Sequence, residues 1–176
     1  MRHAGIVAVL VCAAAAAAAA AEAPQPRPAQ RPPPDMSGIN VSKDVEYAKA
    51  GGKALLLDLY LPRDAPGPLP LIMWVHGGAW RAGDKAQCPA LPQVRRGYAV
   101  ASINYRLSQE ALFPAQIHDC KAAVRWLRAN AARYKINPQR VGAWGSSAGG
   151  HLVALLGTSG DVKDLEGDLG NPDQSS

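Results

Sequence analysis

Val141-Gly142-Ala143-Trp144-Gly145-Ser146-Ser147-Ala148-Gly149-Gly150-His151-Leu152-Val153-Ala154-Leu155-Leu156 is the stretch that decides how this chain folds. Val141 to Trp144 reads as a short internal strand, and His151 to Leu156 as a helical run. Between them lies a Gly-x-Ser-x-Gly turn, Gly145 to Gly149, centred on Ser147. A sharp strand-to-helix turn holds such a serine at strained dihedrals with its hydroxyl exposed at the sheet edge. The flanking glycines keep β-carbons of strand and helix from colliding. Centring the motif on Ser146 would put Trp144 and Ala148 at the glycine positions, so Ser147 is the candidate nucleophile. Turns of small residues are common; the strand before this one and the helix after it set it apart.

A second motif stands upstream. Leu71-Ile72-Met73-Trp74-Val75 is a continuous apolar run, as in a strand buried on both faces, and it leads straight into His76-Gly77-Gly78-Ala79-Trp80. Glycines after a strand can simply make a tight turn. They can also aim backbone amides at an anion, and the Gly77 and Gly78 amides, with that of Ala148, would then form an oxyanion hole. His76 is open to two readings, general base or a residue that packs and shapes the loop. Its place beside the oxyanion glycines favours packing, because from there an imidazole does not ordinarily reach the nucleophile's hydroxyl.

The other elements extend outward from these two. Val41–Tyr47 and Ala54–Leu61 read as strands joined at Gly51-Gly52, a hairpin signal, with Asp58 and Tyr60 on a half-exposed face. Pro62 to Pro70 is a surface loop. Pro89–Arg96 predicts a short helix closed by Gly97, and Tyr98–Asn104 a second buried strand. Pro114 opens a longer helix with an apolar stripe of Ile117, Ala122, Val124 and Leu127, and Asn137-Pro138 interrupts the chain after it. Strand and helix alternating in this way predict a parallel sheet. From Gly157 to Ser176 the chain holds five acidic residues and one lysine, and reads as a surface loop with one helical turn near Val162–Leu165.

These segments together resemble the N-terminal half of an α/β-hydrolase of the esterase/lipase type with a His-Gly-Gly oxyanion motif. Within that type they are most similar to bacterial secreted proteins resembling bifunctional feruloyl and acetyl-xylan esterases. The likeness is carried by Trp74–Trp80, Gly83-Asp84-Lys85, Gly97–Val100, Asn104–Ser108, Phe113–Asp119 and Gly145–His151. It implies a three-layer α/β sandwich with a mostly parallel sheet, here with its C-terminal strands missing. It also implies Ser147 as nucleophile, oxyanion amides at Gly77, Gly78 and Ala148, and a structural role for Asp119. In such enzymes the acid and histidine follow the nucleophile in the chain, each after a later strand. After Ser147 this sequence offers only His151, on the nucleophile helix, and no aspartate that follows a strand.

The chain has 176 residues, 48% of them apolar, and a formal charge of +5. Arg2 and His3 precede an apolar stretch ending in Ala19-Ala20-Ala21, the pattern of a signal peptide over residues 1–21 with cleavage before Glu22. Residues 22–40 form a proline-rich linker, and 41–176 a partial α/β-hydrolase domain. A secreted or periplasmic location follows, with no stable membrane insertion after cleavage. Past Pro34 the signs of charge are interspersed, which speaks against nucleic acid as a partner. Nothing matches a cofactor-binding or metal-binding pattern, Cys88 and Cys120 are left open to pairing, and the oligomeric state is unknown.

The expected function is serine-dependent hydrolysis of a carboxylic ester, small or polysaccharide-linked, of the acetyl or feruloyl kind, by a fragment lacking the catalytic Asp and His. The alternative is a non-catalytic truncated remnant of the fold or a binding module. A small intact hydrolase using His118 or His151 would need a geometry that the order of elements does not provide.

Overall fold

The structure, a computed structural model, describes residues 34–176. The expected signal peptide lies outside the described residues, as does the expected linker up to Pro33. Two residues assigned to the linker, Ile39 and Asn40, belong to the first strand.

Strand β1 (Ile39–Ala50) and β2 (Lys53–Pro62) form the expected hairpin. Gly51 and Gly52 have φ of 57° and 80°. Both are left-handed, as a two-residue turn matching the strand twist requires. β3 (Leu69–Val75) is followed by a 3₁₀ turn at Leu91–Arg96, which Gly97 ends at φ 87° by donating to the carbonyls of Gln93 and Val94. Then come β4 (Ala99–Ile103), α1 (Ala115–Ala129), β5 (Ile136–Gly145), α2 (Ala148–Thr158) and the single turn α3 (Lys163–Glu166).

The sheet corrects the expectation of a mostly parallel sandwich. Its order is β1-β2-β4-β3-β5, and β1–β2 and β2–β4 are antiparallel while β4–β3 and β3–β5 are parallel. Strand–helix alternation dictates parallel pairing only from β3 onward. The tight hairpin before it forces an antiparallel partner, and β2 then joins the parallel strands the other way round. Where C-terminal strands were expected to be missing, the structure places the chain through Ser176, with the segment after α2 folded over α1.

One sheet face buries Leu57, Leu59, Leu71, Met73 and Ile103 against Ile117, Val124 and Leu127 of α1 and Leu152 of α2. Each such side chain contributes about 1.5–3 kcal/mol of burial. The opposite face buries Tyr60, Trp74 and Val100 beneath Cys88, Ala90 and Val94. This second cover is why Asp58 and Tyr60 are only 2% and 4% exposed, instead of half-exposed. Cys88 and Cys120 are both free thiols and sit in these two separate clusters.

β5 is longer and more exposed than an internal strand, and in the described sheet it lies at an edge. Pro138 is therefore tolerated inside it, since a proline costs no ladder bond on an unpaired side. The segment after α2 is no loose loop. The fully buried Lys121 of α1 donates to the Ser159 carbonyl at 2.8 Å and pairs with Glu166. Arg125 donates to the Glu166 and Leu169 carbonyls, and Arg128 to that of Ser175.

Candidate active site

The turn from β5 into α2 has the geometry its residues call for. Ser147 caps α2 at φ 50° and ψ −121°, a conformation that side chains other than glycine adopt only under strain. Two backbone bonds hold it, Gly149 N–H to the Ser146 carbonyl at 2.8 Å and His151 N–H to the Ser147 carbonyl at 3.0 Å. Both glycines of the motif are dictated by close approach. A β-carbon on Gly145 would stand 2.5 Å from the Gly149 backbone, and one on Gly149 would stand 2.1 Å from the Val75 carbonyl oxygen.

Val75 pairs with Gly145 across the parallel β3–β5 ladder, so the two strands end side by side. The loop leaving β3 is thereby laid against the serine turn. A β-carbon on Gly77 would meet the Ser146 carbonyl oxygen at 2.8 Å and the Ser147 β-carbon at 3.3 Å. The loop continues in left-handed conformations, with φ of 108° at Gly78, 52° at Ala79 and 58° at Trp80. Among the described residues, no acceptor takes the amides of Gly77, Gly78 or Ala148. The three positions singled out for amide donation and the serine thus lie on two adjoining turns.

The histidines do not join them. His76 is 4% exposed, and its Nδ1 donates to the Gly77 carbonyl at 2.7 Å. Its ring stacks on Tyr105 with centroids 4.4 Å apart, and the Tyr105 hydroxyl donates to the His76 carbonyl. Burial pushes the His76 imidazole below the ordinary histidine value and the Tyr105 phenol up to about 12. This is the packing reading of His76. His118 donates through Nε2 to the Asp164 carbonyl, and the exposed His151 meets the edge of Trp80. Among the described residues no histidine is hydrogen-bonded to the Ser147 hydroxyl.

Asp119 is fully buried and receives Nε and Nη2 of Arg106 at 2.9 and 2.6 Å, and the Arg106 N–H at 2.8 Å. Burial pushes its carboxyl up, against the pull of the Arg106 guanidinium. The pair ties the chain after β4 to α1, which is a structural role.

Two features escaped the sequence. One is Arg106 as the partner of Asp119, 13 residues away. The other is the reason for Gly83-Asp84-Lys85. A β-carbon on Gly83 would press on the Gly77 carbonyl oxygen and on His76 Nδ1, each at 2.6 Å. Lys85 Nζ holds Asp44 and the buried Asp58, both at 2.7 Å. Its N–H donates to Asn104 Oδ1, and its carbonyl accepts the Ser102 hydroxyl. Lys85 therefore pins the far end of the loop that begins at Gly77. A charged run flanking the motif was visible in the sequence, but its partners lie on three other strands or their ends.

The described chain is similar to known esterases over most of its length. The sequence model of the BD-FAE family matches residues 57–176. The chain is 37% identical over 131 residues to "Esterase LipQ" of Mycobacterium tuberculosis, covering 71% of this chain and 31% of that protein. Among solved structures it is similar to a "Truncated form of carbohydrate esterase from gut microbiota", at 39% identity and a TM-score of 0.72, covering 78% of this chain and 53% of that one. It is also similar to a "Bifunctional GH43-CE" of Bacteroides eggerthii, at 39% identity and a TM-score of 0.70, over 77% of this chain and 21% of that one. The chain spans about a third of the length of the curated relatives it matches.

Proposed function

The chain belongs to the BD-FAE family of α/β-hydrolase-fold esterases, and from that membership we propose that it carries the nucleophile and oxyanion hole of a serine carboxylic-ester hydrolase. Ser147 Oγ attacks the ester carbonyl carbon, and the oxygen that becomes an anion rests on the amides of Gly77, Gly78 and Ala148. The carbon–oxygen bond to the alcohol breaks, the alcohol departs with the serine's proton, and water later releases the acid. The observation that carries this reading is the strained Ser147 turn seated against the Gly77 backbone.

No histidine among the described residues is hydrogen-bonded to Ser147, so this reading takes the proton relay from a histidine and an acid outside the described residues. An acetyl or feruloyl ester on a polysaccharide is the substrate class this reading takes. It is supported by the likeness to carbohydrate esterases and by the signal-like N terminus, which suits a secreted or periplasmic site of action.

Residual rate from an oxyanion hole and binding alone is about 10³–10⁴ over water. Incubated with p-nitrophenyl acetate, the full chain is therefore expected to gain one acetyl group slowly, on Ser147, and to keep it. Peptide mass spectrometry reads the site. No acetylation, or equal acetylation of Ser147→Ala, would leave the non-catalytic module as the better reading.

A further inference from the structure

At the end of the sheet away from Ser147, a groove of about 160 Å³ opens between the segment after β2 and the turn leading into β5. It is lined by Asn40, Arg63, Arg133, Tyr134 and Lys135 among others. Along the sequence the signs of charge are interspersed, but the fold gathers cations here. Residues 61–70 and 131–140 together hold Arg63, Arg133, Lys135 and Arg140 and a single acid, Asp64. Among the described residues, none of these four cations is in an ion pair. Their combined field is left for something outside the chain.

Backbone bonds fix both walls of the groove to strand ends. The Arg63 N–H donates to the Gly38 carbonyl at 2.9 Å, the Leu69 N–H to the Lys135 carbonyl at 2.8 Å, and the Ile136 N–H to the Ala131 carbonyl at 2.8 Å. Lys135 sits at φ 54°, a backbone arrangement that is costly for a lysine. The Arg133 guanidinium stands 5.3 Å from the centre of the Tyr134 ring, a contact that restrains it beside the groove. Asn40, exposed, and Tyr134, half-buried, add an amide and a phenol to the same lining.

These features narrow the ligand. An arginine fork matches a planar carboxylate, to which it can give two parallel hydrogen bonds. The groove has about half the volume of the smallest drug-sized pockets, roughly 300 Å³, so it takes one ring and leaves the chain attached to that ring outside. An amide and a phenol suit ring hydroxyls. A carboxylated sugar within a polymer offers all of these. A membrane surface fits less well, because proteins that lie on one insert apolar side chains, and none of the large hydrophobics exposed among the described residues lines this groove. A nucleic acid needs a longer track, about 6–10 phosphate contacts, than four cations supply.

The groove is remote from the reaction. It adjoins the start of β5 at Ile136, and the serine turn begins at the other end of that strand, ten residues on and about 30 Å away.

We propose that the groove at Arg63, Arg133, Tyr134 and Lys135 binds a uronic-acid residue of an acidic polysaccharide, and so holds the protein on the polymer apart from the site at Ser147. The choice of a polysaccharide rests on the reading of the chain as a carbohydrate esterase, whereas the groove and its charge do not, and the two can fail separately.

The test measures by calorimetry the binding of the full chain to trigalacturonate, to neutral maltotriose, to a 20-base-pair DNA duplex, and to phosphatidylcholine vesicles containing phosphatidylglycerol. Trigalacturonate is expected to bind, and to bind Arg63→Gln and Arg133→Gln about tenfold more weakly, the effect of losing a hydrogen bond to a charged group. Arg96→Gln removes an exposed cation that does not line the groove, and is expected to bind as the parent chain does. Maltotriose is expected to bind at least tenfold more weakly than trigalacturonate. No binding of trigalacturonate, equal binding of maltotriose, or an equal loss in Arg96→Gln would overturn the assignment. So would tighter binding of DNA or of the vesicles that the two groove variants weaken. Ser147→Ala is expected to bind trigalacturonate unchanged. Binding that persists in a chain whose Ser147 accepts no acyl group upholds the groove while the nucleophile reading fails, and acylation without trigalacturonate binding does the reverse.

Discussion

Gly77 and Ser147 are in backbone-level contact: a β-carbon on Gly77 would lie 3.3 Å from that of Ser147 and 2.8 Å from the Ser146 carbonyl oxygen. The second contact is too short for a real side chain, so Gly77→Ala must push the loop off the serine turn. Acylation of Ser147 is expected to drop about 10²–10³-fold, the effect of losing one oxyanion donor. Thermal unfolding beside the rate shows whether the loss is local, and an unchanged rate would show the loop is not needed.

Ser147 pays for its place in conformational strain. Glycine tolerates φ 50° and ψ −121°, whereas alanine does not. Ser147→Gly is therefore expected to be more stable than Ser147→Ala by about 1–3 kcal/mol, although neither can be acylated there. Urea denaturation of the two variants measures the difference, and equal midpoints would mean the turn carries no strain.

Removing Arg106 leaves the Asp119 carboxylate buried without its counter-ion. Arg106→Met is expected to destabilise the fold by about 3–5 kcal/mol. The carboxyl of Asp119 already stands above its ordinary value through burial, and losing the guanidinium raises it further. A carboxyl raised in the folded state costs least when protonated, so the variant's deficit is smallest below pH 3.8 and grows as pH rises through the folded value. Denaturation across that range tests the sign, and a deficit independent of pH would count against it.

Glu166 behaves in the opposite sense. It is partly buried, which raises its carboxyl, but the Lys121 ammonium and the Ser176 hydroxyl outweigh that and hold it below the usual 4.5. A lowered carboxyl contributes stability that is full above 4.5 and is lost as pH falls through the folded value. Acid is thus expected to release the segment from Ser159 to Ser176 from α1, seen as faster amide exchange of α3 below pH 4.5. Glu166→Gln is expected to exchange fast at neutral pH as well, and equal exchange in both chains would remove Glu166 from the clasp.

Much of the fold was legible because it is written in local pattern. The apolar run Leu71–Val75, the pair Gly51-Gly52 and the helix after Pro114 all formed near where the residues indicated. Sheet direction was not legible, because nothing local to β2 shows that its second neighbour is β4. The same limit hid the burial of Asp58, whose partner Lys85 is 27 residues away, and the docking of the acidic C-terminal segment on Lys121 and Arg125.

By itself the sequence determined the serine turn and the glycine loop, since strained dihedrals and close backbone approaches admit only particular small residues at particular positions. Tertiary structure alone decided that these two turns touch, that the sheet is mixed, and that Lys85 and Asp119 hold the surrounding chain in place. Such contacts join residues far apart in sequence, and their energy depends on burial and charge pairing that exist only once the strands have assembled.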